Sequence, residues 1–363
     1  MRIETILIFC AIILMSGCLR EDELKTPFAT YVPQNINDGW ALSDPVAENI
    51  DPSRLTLVYR DVHGDENMWQ IRSLLVIRNG KLVAESYTKD QNDITTPRAI
   101  WSCTKQVVGI LTGIALEQGY IHNINDPISI YLTDAASKHP DKGAITISNL
   151  LSMRSGIGFE NDGGNGQTEQ LLRGKPANSV NFIMELPMKN ATGGKFHYND
   201  GDPHLISAII QSQTGKPLKD WAKEVLFSRL GIKNYDWVNY RDGVTFGGFG
   251  INITPREMAK IAQCVLNEGE LNGVRVVSPE WISEITNVTE QNGFEGKQFG
   301  YQWWIDSSRG INFMWGHGGQ FFFIHPGKQL IVAMTAEPNT QGGFQLSIDK
   351  AFNIFDRIEQ AVY

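Results

Sequence analysis

Residues 106–118 read Gln-Val-Val-Gly-Ile-Leu-Thr-Gly-Ile-Ala-Leu-Glu-Gln and stop at Gly119. Apolar positions recur on every side of such a helix, and the glycine supplies its C-cap. A helix that is apolar all round must be enclosed by the rest of the chain, so any fold has to be built around it. Its mouth is the stretch Ile100-Trp101-Ser102-Cys103-Thr104-Lys105. Ser102 and Lys105 stand at i and i+3 on the first turn, side by side on one face. Unpaired backbone N–H groups and the positive end of the helix dipole point the same way.

That arrangement suits nucleophilic catalysis. A serine hydroxyl attacks once a neighbour takes its proton, and a desolvated lysine does this if its pKa falls from about 10.4 toward 7, a change of roughly 4 kcal/mol. The dipole supplies only about 0.3–1 kcal/mol, so burial must supply most of it. Spacing alone does not select Ser102, because Ser86-x-x-Lys89 and Ser347-x-x-Lys350 share it. Ser86 falls in a strand pattern, where i and i+3 face opposite sides, and Ser347 is expected inside the last helix, away from its N-terminal turn. For the motif by itself, an N-terminal serine beside a surface lysine is the alternative.

The remaining pattern is strands, helices, strands, helix. Asp51-Pro52 opens a helix through about Val62. Ser73–Arg78, Asn79-Gly80 and Lys81–Tyr87 form a hairpin signal. The middle third is helix and loop: a short turn at 128–132, then helices over 145–152, near 167–173, over 178–186, over 204–214 stopped by Gly215, and over 218–230. Strands return at 247–254, 300–305, 312–315, 320–324 and 329–335, with a helix from Pro255 to about Asn267 and a terminal helix over 345–361. Short apolar strands separated by turn residues imply antiparallel pairing. The expected fold is therefore α/β (α+β): an antiparallel sheet flanked by helices, in a catalytic domain of residues 38–127 and 240–363 split by a mostly helical domain, 128–239.

Arg2, the apolar run Ile6–Leu14 and Met15-Ser16-Gly17-Cys18 read as a targeting segment, too short to span a bilayer at about 20 residues. It resembles a bacterial lipobox, with Cys18 as the lipidated N-terminus and residues 19–37 as a tether; an ordinary cleaved signal peptide is the alternative. Either reading exports the protein, the first as a membrane-anchored lipoprotein facing the periplasm or cell exterior. A net charge of −8 and a pI near 5.4 argue against nucleic acid or an anionic membrane surface as the main partner. With Cys10 cleaved off, Cys103 and Cys264 remain, both in apolar helical patterns: two buried thiols, or a disulfide in an oxidising compartment. No CxxC pair or HExxH spacing suggests zinc, and no cofactor is implied.

Two clusters can complete a site around Ser102. In Lys195-Phe-His-Tyr198-Asn199-Asp200-Gly201, the Tyr198 phenol can act as a general base or relay protons with Lys105; otherwise it packs at a domain edge with Asp200 or Asp202 capping the next helix. In Trp315-Gly316-His317-Gly318-Gly319-Gln320, glycines can let a ligand approach an exposed strand edge. The N–H groups of Gln320 and Ser102 would then form an oxyanion hole, in which one donor is worth roughly 10²–10³ in rate. The alternative is a glycine-rich hairpin turn.

Ser102-Cys-Thr-Lys105, Gly113-Ile-Ala, Gly119-Tyr-Ile, Leu150–Gly156, Tyr198, Gly247-Gly248 with Thr254, Gly300–Trp304 and His317-Gly318-Gly319 occur in an order that resembles the penicillin-recognising serine hydrolases over residues 38–336. The branch it resembles holds class C β-lactamases, D,D-peptidases, related esterases and 6-aminohexanoate-dimer hydrolases; Asp38-Gly39-Trp40 and Trp-Ser-x-Thr-Lys lean toward the last. The resemblance implies a β-lactamase/transpeptidase-like fold, Ser102 as acyl-enzyme nucleophile, Lys105 as proton acceptor and Tyr198 as acid/base partner. It also implies the Ser102 and Gln320 N–H groups for the oxyanion, with Asp200, His317, Gly318 and Gly319 at the substrate, a small ester, amide or peptide.

Three departures matter. Asp200 stands where the second motif usually has Asn, and would favour a protonated Lys105 or bind a substrate amine. His317 replaces a permanent cation, which weakens recognition of a β-lactam carboxylate. Glu268-Gly-Glu-Leu-Asn272 mimics a class A motif by coincidence. On the same fold, a module acylated without turnover, for penicillin binding or sensing, is the competing function. The α/β-hydrolase elbow Gly-x-Ser-x-Gly is absent.

Overall fold

The computed structural model describes residues 25–161, 172–174, 176–338 and 346–363. Its strands are β1 (Ala41–Leu42), β2 (Ile71–Arg78), β3 (Lys81–Tyr87), β4 (Arg98–Ala99), β5 (Tyr235–Trp237), β6 (Ile251–Ile253), β7 (Glu270–Leu271), β8 (Val274–Arg275), β9 (Gln298–Phe299), β10 (Trp304–Asp306), β11 (Ile311–Gly316), β12 (Gln320–His325) and β13 (Leu330–Ala336). Its helices are α1 (Pro52–Gly64), α2 (Cys103–Glu117), α3 (Thr133–Lys138), α4 (Ile147–Leu151), α5 (Ser179–Met184), α6 (Gly201–Thr214), α7 (Leu218–Ala222), α8 (Pro255–Leu266), α9 (Pro279–Ile285) and α10 (Ile348–Glu359). The targeting segment with Cys10 and Cys18, and most of the 167–173 helix, lie outside the described residues.

Period-two alternation sends each central strand into two cores at once. Leu74 and Val76 of β2, Phe321 and Phe323 of β12, and Leu330, Val332 and Met334 of β13 join the cluster under α1 and α10. Their neighbours Leu75, Ile77, Phe322, Ile324, Ile331 and Ala333 join the cluster around α2 and α8. Strands covered on both faces need no polar side, which is why they read as continuous apolar runs. The sheet runs β1-β3-β2-β13-β12-β11-β10-β9, antiparallel at each pairing except the parallel β1–β3. The predominantly antiparallel, helix-flanked sheet is the one expected. Asn79 and Gly80 turn the β2–β3 hairpin with φ of 52° and 76°, the left-handed pair that a two-residue hairpin loop requires. Asp51 caps α1 by accepting from Ser53 N at 2.8 Å and Arg54 N at 3.2 Å.

The helical insertion does not form a separate core. Leu150, Ile183, Ile209 and Trp221 belong to the same cluster as Val107, Ile110 and Leu111 of α2. Enclosing α2 on every side is what draws the insertion onto the sheet.

Five local expectations are corrected. Residues 25–36, expected in the tether, lie along the fold: Thr26 N donates to Thr88 O at 2.7 Å, Glu85 N donates to Tyr31 O at 2.8 Å, and Phe28 and Tyr31 pack on the α1 cluster. The 247–254 stretch contributes only β6, in a separate sheet β4-β6-β5. The 300–305 strand is shortened to β10, because Gln302 takes φ 67° and turns its side chain to the Leu150 and Leu151 carbonyls at 3.0 Å. The 218–230 helix passes into a π-helical turn at Lys223–Phe227. Ser347 is the N-cap of α10, accepting from Lys350 N at 3.3 Å; with its hydroxyl turned to the backbone, it is a cap rather than an interior residue.

Asp38-Gly39-Trp40 proves to be a clamp. The Arg256 guanidinium, on α8, donates to Glu85 Oε1 and Oε2 at 2.5 and 2.8 Å and to Asp38 Oδ2 at 3.0 Å. Trp40 Nε1 donates to Arg256 O at 3.1 Å. Glu268–Asn272 leads into the β7–β8 hairpin, where Glu270 pairs with Arg275 at 3.1 Å.

Candidate active site

The chain reaches α2 through a left-handed residue. Trp101 has φ 51°, a costly conformation for a bulky side chain, held in place on one side by Ile100 N donating to Ile251 O at 3.1 Å. Ser102 takes the N-cap position, yet its side chain makes no capping bond. The hydroxyl instead accepts from Lys105 Nζ at 2.9 Å.

Lys105 is fully buried. Its three N–H groups go to Ser102 Oγ, to Gly248 O at 2.8 Å and to Asp200 Oδ1, the full donor capacity of an ammonium. Gly248 has to be glycine, since a Cβ there would sit 2.7 Å from Asp200 Cβ and 2.9 Å from its Cα. Asp200 occupies the N-cap position of α6 without capping it. The cap comes from Asn199, whose Oδ1 accepts from Asp202 N at 2.7 Å. Of the roles expected for Asp200, the structure shows the one opposite Lys105 and not the helix cap.

Burial by itself would push the Lys105 ammonium down. The Asp200 carboxylate, together with Tyr198, more than offsets this and holds its pKa above the ordinary lysine value. The fall toward 7 that a lone buried lysine would need does not occur: desolvation is present, but a buried counter-ion reverses its sign, as the Asp200 departure implied. The Tyr198 ring lies with its centroid 4.8 Å from Lys105 Nζ, and its phenol is near enough to the Ser102 and Lys105 side chains to feel both. Burial raises the phenol's pKa further than Lys105 lowers it, so it stays protonated at neutral pH.

The hairpin end Trp315–Gln320 meets the mouth of α2. Cys103 Sγ donates to Gln320 O at 3.7 Å, and the Trp101 and His317 rings meet edge-on at 5.4 Å. β9 and β10 extend the sheet beyond β11, yet β10 pairs only with Ile311–Phe313, so among the described residues the Met314–Gly316 end of β11 has no strand partner on that side. Gly318 and Gly319 are buried there; a Cβ would meet Pro338 at 2.7 Å or Leu346 at 2.5 Å. They serve chain packing at the turn, and exposed His317 is the part of the motif that faces out. The Gln320 side chain fastens β12 to β13 through Ala336 O at 2.7 Å and Ala336 N at 3.1 Å.

Further features are not visible in a linear pattern. Phe294 stacks on Tyr198 at 6.1 Å and meets Trp315 at 5.5 Å, making an aromatic wall beside the phenol. The Arg173 guanidinium lies 5.0 Å from the Trp101 ring and 4.5 Å from that of Phe249. Cys103 and Cys264 are free and buried; burial pushes the first thiol up and the second up to about 12, so neither is a ready nucleophile. Among the described residues no group of His, Cys, Asp and Glu is placed to hold a metal ion.

Asp202, two residues beyond Asp200, carries a prediction. It is buried, accepts from Ser155 Oγ at 2.6 Å through Oδ1, has no partner for Oδ2, and burial pushes its carboxyl up to about 7. The folded state thus keeps a proton that the unfolded state loses near 3.8. The resulting stability is complete below the unfolded value and is lost as pH rises through 7, by up to about 4 kcal/mol. Asp202→Asn is expected to raise the urea midpoint at pH 8 and to flatten the decline between pH 5 and 8. Unchanged pH dependence of urea unfolding would refute it.

The sheet and the Ser-Lys-Tyr cluster define the class: a β-lactamase/transpeptidase-like fold. Residues 72–349 match the family described as Beta-lactamase, and the chain belongs to that family. It is similar to the 6-aminohexanoate-dimer hydrolase of Paenarthrobacter ureafaciens, 21% identical over 316 residues that cover 77% of this chain and 78% of that protein. A solved structure from Bacillus anthracis described as a 6-aminohexanoate-dimer hydrolase superposes with TM-score 0.72 at 21% identity, covering 94% of this chain and 91% of the other. A family VIII carboxylesterase superposes with TM-score 0.67 at 16% identity, covering 86% and 98%.

Proposed function

We propose that this chain is an exported serine hydrolase that cleaves an ester or amide through an acyl-enzyme on Ser102. The observation that carries the reading is the Ser102 hydroxyl 2.9 Å from a fully buried Lys105 Nζ, with the Tyr198 phenol beside both. Ser102 Oγ attacks the carbonyl carbon as its proton passes to the Lys105 cluster. The oxyanion rests on the Ser102 and Gln320 N–H groups, a role supported by the uncapped start of α2 and the hairpin packed against it. Tyr198, a neutral phenol, protonates the leaving group, and water then releases the acyl chain.

The aromatic wall of Tyr198, Phe294 and Trp315 favours an apolar acyl or amine portion next to the scissile bond. The names of the similar proteins, an aminohexanoate-dimer hydrolase and a carboxylesterase, favour amide or ester over β-lactam, as does His317 in place of a permanent cation. The segment ending at Cys18 supports a lipid anchor facing the periplasm or cell exterior. One observation favours the module acylated without turnover: Lys105 is held protonated by Asp200 and is a poor base alone.

Turnover assays with p-nitrophenyl butyrate, aminohexanoate dimer, D-Ala-D-Ala peptide and nitrocefin, beside intact-protein mass spectrometry with a fluorophosphonate and a penicillin, separate the two. A fluorophosphonate adduct on the peptide holding Ser102, with turnover of an ester or amide, is the expected result. A persistent penicillin adduct without turnover of any substrate would replace the hydrolase reading with the sensor.

A further inference from the structure

We propose that Asp200 is the terminal acceptor of the Ser102 proton during acylation, reached through Lys105. This rests on the Ser102 acyl-enzyme reading above.

The geometry is a chain of two hydrogen bonds sharing one nitrogen. Lys105 Nζ bonds Ser102 Oγ at 2.9 Å on one side and Asp200 Oδ1 on the other. The third N–H is held by Gly248 O at 2.8 Å, which keeps the nitrogen between the two partners. Asp200 is positioned in turn by its N–H donating to Asn161 Oδ1 at 2.9 Å and by the missing side chain at Gly248. Lys105 is fully buried and Asp200 is 3% exposed, so water does not screen the pair.

Charge balance selects the route. To act as a free base, Lys105 would first have to lose its proton to solvent, leaving the Asp200 carboxylate buried without a counter-ion, which is strongly unfavourable. Passing a proton along the pair creates no such charge. An Nζ–H bond to Asp200 first breaks as an Asp200 O–H bond forms, and the neutral amine turns its lone pair to Ser102. As Ser102 Oγ then forms its bond to the carbonyl carbon, the π pair moves to the carbonyl oxygen, the Oγ–H bond breaks and an Nζ–H bond forms. Lys105 is an ammonium before and after, the oxyanion carries the negative charge, and Asp200 is neutral. On collapse the leaving group takes its proton from Tyr198 or Lys105, and the Asp200 proton returns to the donor. The titratable groups around the pair are Tyr198 on the same loop, Cys103 on α2, and Asp202 and His204 on α6, with Asp242 near His204.

The test is the pH dependence of fluorophosphonate labelling of the full chain, with Ser102→Ala as the unlabelled control. The wild type is expected to label at a level rate through neutrality, because its acceptor needs no prior loss of a proton to solvent. In Asp200→Asn the acceptor left is Lys105 itself, so labelling is expected to require the neutral amine and to climb with pH through the same range. Two results overturn the proposal alone: a wild-type rate climbing about tenfold per pH unit through neutrality, which marks neutral Lys105 as the acceptor, or a folded Asp200→Asn protein with the wild-type profile. The wild-type profile decides the matter even if the variant does not fold. Absence of Ser102 labelling at every pH overturns the serine-hydrolase reading, and this inference with it.

Discussion

Ser102→Ala is expected to lower kcat/KM for p-nitrophenyl butyrate by at least about 10⁴-fold while leaving the fold in place. The loss is large because, in the proposed mechanism, Oγ is the atom that bonds the acyl carbon, and its neighbours cannot stand in for it: Lys105 has its three N–H groups engaged, and the Tyr198 phenol is protonated. Residual activity comes from binding and from the oxyanion donors that survive. The fold is spared for a local reason. A serine that caps a helix typically contributes about 1 kcal/mol when its side chain binds the first turn, and Ser102 makes no such bond. Its Tm should therefore stay close to that of the wild type. Unchanged turnover in a folded Ser102→Ala protein would remove Ser102 as nucleophile.

Gly316→Ala is the second large effect, and it acts without touching a reacting group. A Cβ at this end of β11 would lie 2.2 Å from Ile100 O and 3.2 Å from Cys103 Sγ. The near contact is backbone, so no rotamer relieves it, and Ile100 is tied to Ile251 O at 3.1 Å. Either the hairpin or the mouth of α2 must shift. A displacement of about 1 Å in a catalytic constellation can cost about 10²-fold in rate, and overpacking typically costs about 1–3 kcal/mol. Gly316→Ala is thus expected to show at least about a 100-fold loss in kcat/KM with a lowered Tm. Gly64→Ala is the control: nothing lies within 4 Å of its Cβ. If Gly316→Ala keeps full activity, the hairpin does not position the mouth of α2.

Much of the layout was legible because its signals are local. The Asp51-Pro52 start, the Asn79-Gly80 turn and the two-sided apolar strands each depend on residues within a few positions, and each formed where expected. Ser347 shows the limit of such signals, since its spacing to Lys350 was read correctly while its place at the helix start was not. A boundary depends on where the backbone first finds partners, and the residues before Ser347 carry no strong marker. The charge of Lys105 was legible only through the Asp200 departure in the second motif, which implied a protonated amine. Burial was inferred correctly from the apolar helix, yet the sign of the pKa change depended on a carboxylate 95 positions away. The extent of the open strand edge was not legible for a similar reason, because only the pairing register shows that β10 stops at Phe313 and leaves Met314–Gly316 unpaired on that side.

What the sequence alone determined, then, is the set of elements and the juxtaposition of Ser102 and Lys105, because helix geometry brings i and i+3 together whatever surrounds them. Tertiary structure alone supplied the contacts themselves: Asp200 and Gly248 on the amine, Tyr198 beside it, and the Gly316 turn wedged against Ile100. Those partners come from segments joined only when α2 is enclosed on all sides. The charge state of a buried amine follows from which groups enclose it, which no periodicity records.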